Sequence, residues 1–421
     1  MKKYLNENKY YLGLEGELIK AKKGYPVKIG FIGCGSHAFR NVYPCLRFLP
    51  VDLMAVCDIN KDKADLFKRQ FGARRSYTDY RDMLANEELD AVMIVVGFGE
   101  DGSPLYFPIV NDVLMRGIPV WFEKPPARNA SEVKKMICSA RKGKTFAQVG
   151  FKKMFMPSVD KARNIINSKE FGKISTYTLR YPVDLPSDIR DIESAGPRRF
   201  LDDFVHIAST IISLVGRPDR LFYKRSENNG AIATLVHNSG RIGSIHLCPG
   251  ASEMCPLEQL EIVGEGANVI INNNIEITYY PPSKRLPYGR TESFIPSNGH
   301  GAEYFLPEFS LGQLYNKGLF LLGYTAEIRE FIISVHDKRE PKHAGLEDAL
   351  AVMQLYDAFA GGEGKDIEIG SGSIRTKPLC HSTADNKTPR CPNCKEVMFL
   401  KDGWNYNCKK CGRMIASSEL K

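Results

Sequence analysis

The strongest constraint on this chain is a short apolar run that ends in glycine. "VKIGFI" (27–32) passes directly into Gly33-Cys34-Gly35-Ser36-His37-Ala38. This is the G-x-G-x-x-G/A pattern of a strand, a tight turn and a helix. Gly33 permits the turn, Gly35 lets the backbone approach a pyrophosphate, and Ala38 lets helix and strand pack closely. Similar turns occur in folds that bind no nucleotide, so the flanking sequence has to decide. "VDLMAVCD" (51–58) forms a second buried strand ending in Asp58, 23 residues after Gly35. A carboxylate there accepts hydrogen bonds from an adenosine ribose. "DAVMIVVG" (90–97), "IPVWFEK" (118–124) and "TFAQVGF" (145–151) give three more strands. They are separated by helical patterns such as "ADLFKRQF" and "ASEVKKMICSARKG".

Strands alternating with helices predict an α/β domain of Rossmann type, a doubly wound parallel sheet over residues 25–150, preceded by an extension over 1–24. The expected cofactor contacts are Gly33, Gly35, Ser36, His37, Ala38 and Asp58. Asp58 repels a 2′-phosphate, and Ile59 follows where an arginine could have gripped one, so NAD is favoured over NADP. Lys61 and Lys63 are the nearby cations that argue the other way.

At 421 residues and 43% hydrophobic composition the chain can form two or three domains. Its first twenty residues contain lysines but no continuous apolar stretch, and "AVMIVVGF" is its longest apolar run. The expectation is a cytoplasmic protein with no membrane partner. The net charge of +9 sits at the ends, with +4 over residues 1–28 and +5 over residues 377–421, leaving a formally neutral body. That distribution does not describe a nucleic-acid surface spread over a fold.

At "WFEKPPARNASEV" the chain resembles the Gfo/Idh/MocA family of NAD(P)-dependent sugar and cyclitol oxidoreductases. The Glu-Lys-Pro turn of that family stands here as Glu123-Lys124-Pro125. The resemblance continues through "VGFKKMFMPSVDKARNII", "FLDDFVHIASTIISLVG" and "YTAEIREFIISV", covering about residues 27–370. It adds Glu123 and Lys124 to the cofactor contacts. It also implies a second, α+β domain over 151–375 with an open-faced, mostly antiparallel sheet that often packs against another subunit, hence a homo-oligomer (dimer or tetramer). Strand-like "KISTYTLRYPV", "AIATLVHNSGRIGSIHLC" and "EQLEIVGEGANVIINNNIEITYY" agree, with Asn238-Ser239-Gly240 as a hairpin turn.

Oxidation of a secondary alcohol needs a group that removes the hydroxyl proton and one that stabilises the alkoxide. Lys124, ending a parallel strand at the carboxyl edge of the sheet, suits the second task. Asp202 and His206 are four apart on a helical pattern, so the carboxylate is expected to orient the imidazole. The family uses this Asp-x-x-x-His arrangement as its acid/base pair. Lys153, Arg198 and Arg199 are candidate substrate contacts, the two arginines standing in "GPRRFLDD" at the approach to the site. Met154 replaces an arginine the family commonly has, and "GFGEDGSPLYFP" replaces its usual threonine-proline and histidine. No relative's substrate transfers directly.

Beyond the Gly/Ser-rich "IEIGSGSIRTKPLCHSTADNKTP", with the linker over 376–387, come Cys391-x-x-Cys394 and Cys408-x-x-Cys411, separated by 13 residues. This spacing predicts a zinc ribbon over 388–421 with one structural zinc, because four thiolates leave the metal no open position. The reading as a whole is an NAD-dependent enzyme acting on a CH–OH group of a sugar, cyclitol or nucleotide sugar. Its rivals are a glycoside hydrolase or lyase using transient oxidation, and a non-catalytic NAD-binding sensor.

Overall fold

Each expected strand of the first domain forms, and all of them run parallel. The computed structural model describes residues 10–12, 18–20, 26–282, 301–306, 317–370, 399–400, 405–407 and 414–416. It divides into two compact units, Met1–Ser373 and Ile374–Lys421. A short antiparallel pair, β1 (Tyr10–Leu12) and β2 (Leu18–Lys20), comes first. The nucleotide-type sheet follows as β3 (Val27–Ile32), β4 (Val51–Cys57), β5 (Arg75–Tyr77), β6 (Ala91–Ile94), β7 (Val120–Glu123) and β8 (Ala147–Gly150).

The order β5-β4-β3-β6-β7-β8 reverses direction between β3 and β6, which opens a crevice at their carboxyl ends. β6, β7 and β8 are buried at every position, as sheets covered by helices on both faces require. The helices between them start at side-chain caps. Asn60 accepts from the backbone N–H of Lys63 at 3.1 Å, and Asn129 accepts from that of Glu132 at 3.1 Å.

The second sheet has nine strands: β9 (Thr176–Tyr181), β10 (Arg220–Arg225), β11 (Ala231–Val236), β12 (Ile242–Leu247), β13 (Gln259–Val263), β14 (Asn268–Asn272), β15 (Glu276–Tyr280), β16 (Glu303–Phe305) and β17 (Ile367–Glu368). Its order is β16-β15-β14-β13-β9-β12-β11-β10-β17, antiparallel except where β12 runs parallel to β9. Alternation sets its two faces. Tyr177, Leu179, Ala233, Leu235, Ile245 and Leu247 point into the core. They share that core with the helices Pro157–Ile166, Ala195–Leu214 and Leu346–Ala358. The other face leaves Phe222, Ile232, Val236 and Ile242 exposed. The expected hairpin turn closes β11 onto β12, with Gly240 at φ +88° and its N–H bonded to His237 O at 2.9 Å.

In the second compact unit, β18 (Phe399–Leu400), β19 (Asn405–Asn407) and β20 (Met414–Ala416) form a three-stranded antiparallel sheet. The four ribbon cysteines, Cys391, Cys394, Cys408 and Cys411, lie outside the described residues.

Candidate active site

The turn after β3 is built as the sequence requires. Gly33 has φ +104°, and a Cβ there would lie 1.8 Å from Val95 O, so no other residue fits. At Gly35 a Cβ would meet nothing within 4 Å, which leaves open space above the backbone where a pyrophosphate could approach. Ser36 is exposed, His37 half-buried and Ala38 fully buried against the core. Asp58 ends β4 with its carboxylate bridging two backbone donors, Cys34 N at 2.8 Å and Asn60 N at 2.9 Å. It thereby braces the turn as well as remaining partly open to a ribose, while Ile59 beside it is 95% exposed. The residues present fit a dinucleotide.

β7 delivers the next set. Glu123 is buried, and its carboxylate accepts from His37 Nε2 at 3.1 Å and from the backbone N–H of Lys124 at 3.0 Å. Gly150 on the neighbouring strand makes room for it, since a Cβ there would lie 2.9 Å from Glu123 Oε2. The Lys124–Pro125 peptide is cis. Lys124 then crosses to the helix Ala195–Leu214, donating from Nζ to Asp202 Oδ1 at 2.7 Å and to Asp202 O at 3.3 Å. The lysine side chain is 16% exposed and the aspartate 42%.

This corrects one expectation. Asp202 is on the same helix as His206, but its carboxylate engages Lys124 and not the imidazole. Helical spacing permits the Asp–His contact; the nearby ammonium offers a stronger partner. His206 is buried, and its Nδ1 has no partner among the described residues. Burial holds its pKa well below the ordinary value, and the positive charges of Lys153, Lys124 and Lys152 push the same way, so the ring is neutral. Asp203, one residue from Asp202, is raised by burial and by Asp202 itself.

The candidate substrate contacts fare differently. Arg198 and Arg199 belong to the first turns of the helix, which begins at Ala195, and not to an approach loop. Arg198 donates to Ile192 O at 3.3 Å and Glu193 O at 2.6 Å, tying the helix to the preceding segment. Arg199 is exposed and stands 3.7 Å from Asp203. Lys153 is buried in an ion pair with Glu258, which also accepts from Asn274 at 2.7 Å. Lys152 donates to the Tyr324 hydroxyl at 3.1 Å and lies over that ring, and burial lowers its pKa. Tyr324 and Glu327 come from a helix (Tyr324–Asp337) far along the chain. No spacing rule leads from the glycine turn to them.

Residues 27–151 match the family model described as the oxidoreductase family, NAD-binding Rossmann fold. The chain is 22% identical over 351 residues to the rhizopine catabolism protein MocA of Rhizobium meliloti, covering 82% of this chain and 98% of that protein. It is 21% identical over 346 residues to myo-inositol 2-dehydrogenase of Thermotoga maritima, covering 79% and 95%. Among solved structures it is similar to levoglucosan dehydrogenase in complex with NADH, with a TM-score of 0.67, 17% identity and coverage of 82% and 99%. The chain is therefore an oxidoreductase, and residues 27–151 are the NAD-binding Rossmann domain of the Gfo/Idh/MocA family.

Proposed function

We propose that this protein is an NAD-dependent oxidoreductase of a carbohydrate or cyclitol CH–OH group, with Lys124, Asp202 and His206 as its working set. The observation that carries the reading is the Lys124–Asp202 bond, formed across two elements beside a buried, neutral imidazole. Gly33, Gly35, Ser36, His37, Ala38, Asp58 and Glu123 would hold NAD, and Asp58 selects it over NADP by meeting a ribose diol with a carboxylate. Bound NAD supplies the hydride acceptor.

In this scheme the chain's own residues handle the proton. Lys124, held in place by Asp202, stabilises the oxygen as it becomes an alkoxide. His206, neutral as a base must be, accepts the hydroxyl proton. Because burial and then the surrounding lysines disfavour the imidazolium, the proton is passed on and not stored. The names of the relatives above, a cyclitol dehydrogenase and a sugar dehydrogenase, support the substrate class. Of the candidate substrate contacts, Arg199 is the one whose exposed head group can read an anionic substituent.

Two further features belong to this reading. The exposed apolar face of the nine-stranded sheet supports assembly with a second copy. The cysteine spacing, together with the three-stranded sheet of β18 to β20, supports a ribbon holding one structural zinc through Cys391, Cys394, Cys408 and Cys411. The test of the catalytic reading is a comparison of NADH formation by the parent, Lys124→Ala and His206→Ala proteins on a substrate found by screening. Unchanged rates in both variants would overturn it.

A further inference from the structure

Glu123 is a carboxylate 3% exposed whose two oxygens face donors from two different parts of the chain. Oε1 accepts from His37 Nε2, and Oε2 accepts from the backbone N–H of Lys124. His37 belongs to the glycine turn. Its other nitrogen, Nδ1, accepts from the Asn41 amide at 3.1 Å, which places the ring proton on Nε2, facing Glu123. The Tyr324 ring meets the imidazole edge-on at 5.9 Å, and the Tyr324 hydroxyl is fixed by Lys152. The imidazole is thus held at both nitrogens and against one ring, while its side chain stays 39% exposed. On the other side of Glu123, Lys124 reaches Asp202. One buried carboxylate therefore joins the turn that would receive the dinucleotide to the lysine that would act on the substrate.

We propose that Glu123 is a positioning residue: through His37 it couples occupancy of the dinucleotide turn to the placement of Lys124. The coupling needs an ionised carboxylate. A carboxylate accepts from both donors, whereas a side-chain amide turns its own NH₂ toward one of them and loses that contact. A ligand seated on the turn covers the exposed edge of His37, and the shift passes to the Lys124 backbone through two hydrogen bonds. The proposal rests on reading residues 33–38 as the cofactor turn and Lys124 as the alkoxide stabiliser.

The test uses the full-length protein and needs no substrate. A brief pulse of isotope-coded acetylation, read by mass spectrometry on the peptide containing Lys124, measures how firmly that ammonium is held, with and without NADH. A Lys124 backbone released from Glu123 lets the ammonium slip from Asp202, and losing that charge-assisted hydrogen bond is worth about tenfold in such a rate. Glu123→Gln and His37→Ala should each raise Lys124 labelling about tenfold relative to the other lysines. His37→Gln keeps an N–H donor and should stay within about twofold of the parent. Saturating NADH should slow Lys124 labelling in the parent and leave it unchanged in Glu123→Gln. Parental labelling rates in Glu123→Gln and His37→Ala, no response of the parent to bound NADH, or identical behaviour of His37→Gln and His37→Ala would each overturn the proposal. If Glu123→Gln does not fold, the two His37 variants decide the matter. Failure of the parent to bind NADH would refute the cofactor reading separately, because the labelling measured without NADH still tests the bridge.

Discussion

Two separate stretches of chain fix Lys124: the end of β7, where Glu123 accepts from its backbone N–H, and the helix Ala195–Leu214, where Asp202 accepts from its ammonium. Replacing Lys124 or His206 with alanine should leave NADH binding near the parental value, since neither belongs to the glycine turn. Turnover should fall roughly a hundredfold or more, as expected on losing an alkoxide stabiliser or a general base. Fluorescence titration of NADH alongside initial rates separates the two effects. All three residues of the proposed set could be named from the sequence, because a strand-end lysine and a carboxylate four residues before a histidine are local patterns. Their pairing could not. Which ammonium meets which carboxylate depends on how the helix Ala195–Leu214 lies against β7, and helical spacing alone suggested the wrong partner for Asp202.

At the scale of elements, the glycine turn and the ribbon make separable predictions. Gly33→Ala forces a Cβ against Val95 O at a positive φ, so it should cost stability as well as binding. A strained backbone of this kind costs about 1–3 kcal/mol before the clash is counted. Gly35→Ala meets nothing within 4 Å, so it should melt at the parental temperature and lose only NADH affinity. Thermal melting with parallel NADH titration tells the two variants apart. For the ribbon, metal analysis should find about one zinc per chain, and removal of residues from Lys387 onward should preserve NADH binding. The second compact unit begins at Ile374, so this truncation removes no residue of the first.

Parallel strands were easy to anticipate because burial on both faces leaves continuous apolar runs such as "AVMI". The edge strands β5, β16 and β17 are only two or three residues long, too short for any periodicity to register. The start of the helix at Ala195 was hidden for another reason: Gly196 and Pro197 read as a loop, although proline is accepted in a helix's first turn.

At the scale of the whole molecule, the fold places two buried acids next to each other beneath the site. Glu327 is fully buried, accepts from Trp121 Nε1 at 3.4 Å, and leaves its second oxygen without a partner among the described residues. Burial raises its pKa well above the ordinary 4.5, and the charge of Glu123 adds to the shift. The native protein thus keeps a proton that the unfolded chain releases once pH exceeds about 4.5. Folding stability should therefore fall as pH rises through and above that value. Glu327→Gln retains the acceptor for Trp121 and removes this dependence. Its melting temperature should exceed the parent's near neutral pH, with the advantage shrinking toward pH 4.5; an equal or lower value near neutrality would contradict the assignment of a neutral acid. Nothing local in "YTAEIREF" announces this. The site of Glu327 exists only because the helix Tyr324–Asp337 packs beneath β3 and β7.

Net oxidation of a carbohydrate hydroxyl by NAD, as proposed above, has one direct test. The protein is incubated with stoichiometric NAD and a library of sugars, cyclitols and nucleotide sugars, and both NADH and the mass of every sugar are recorded. The account predicts a product lighter by two hydrogen atoms, formed in equal amount with NADH, and neither in the Lys124→Ala protein. A product that has gained or lost one water while NAD is left unchanged would contradict it.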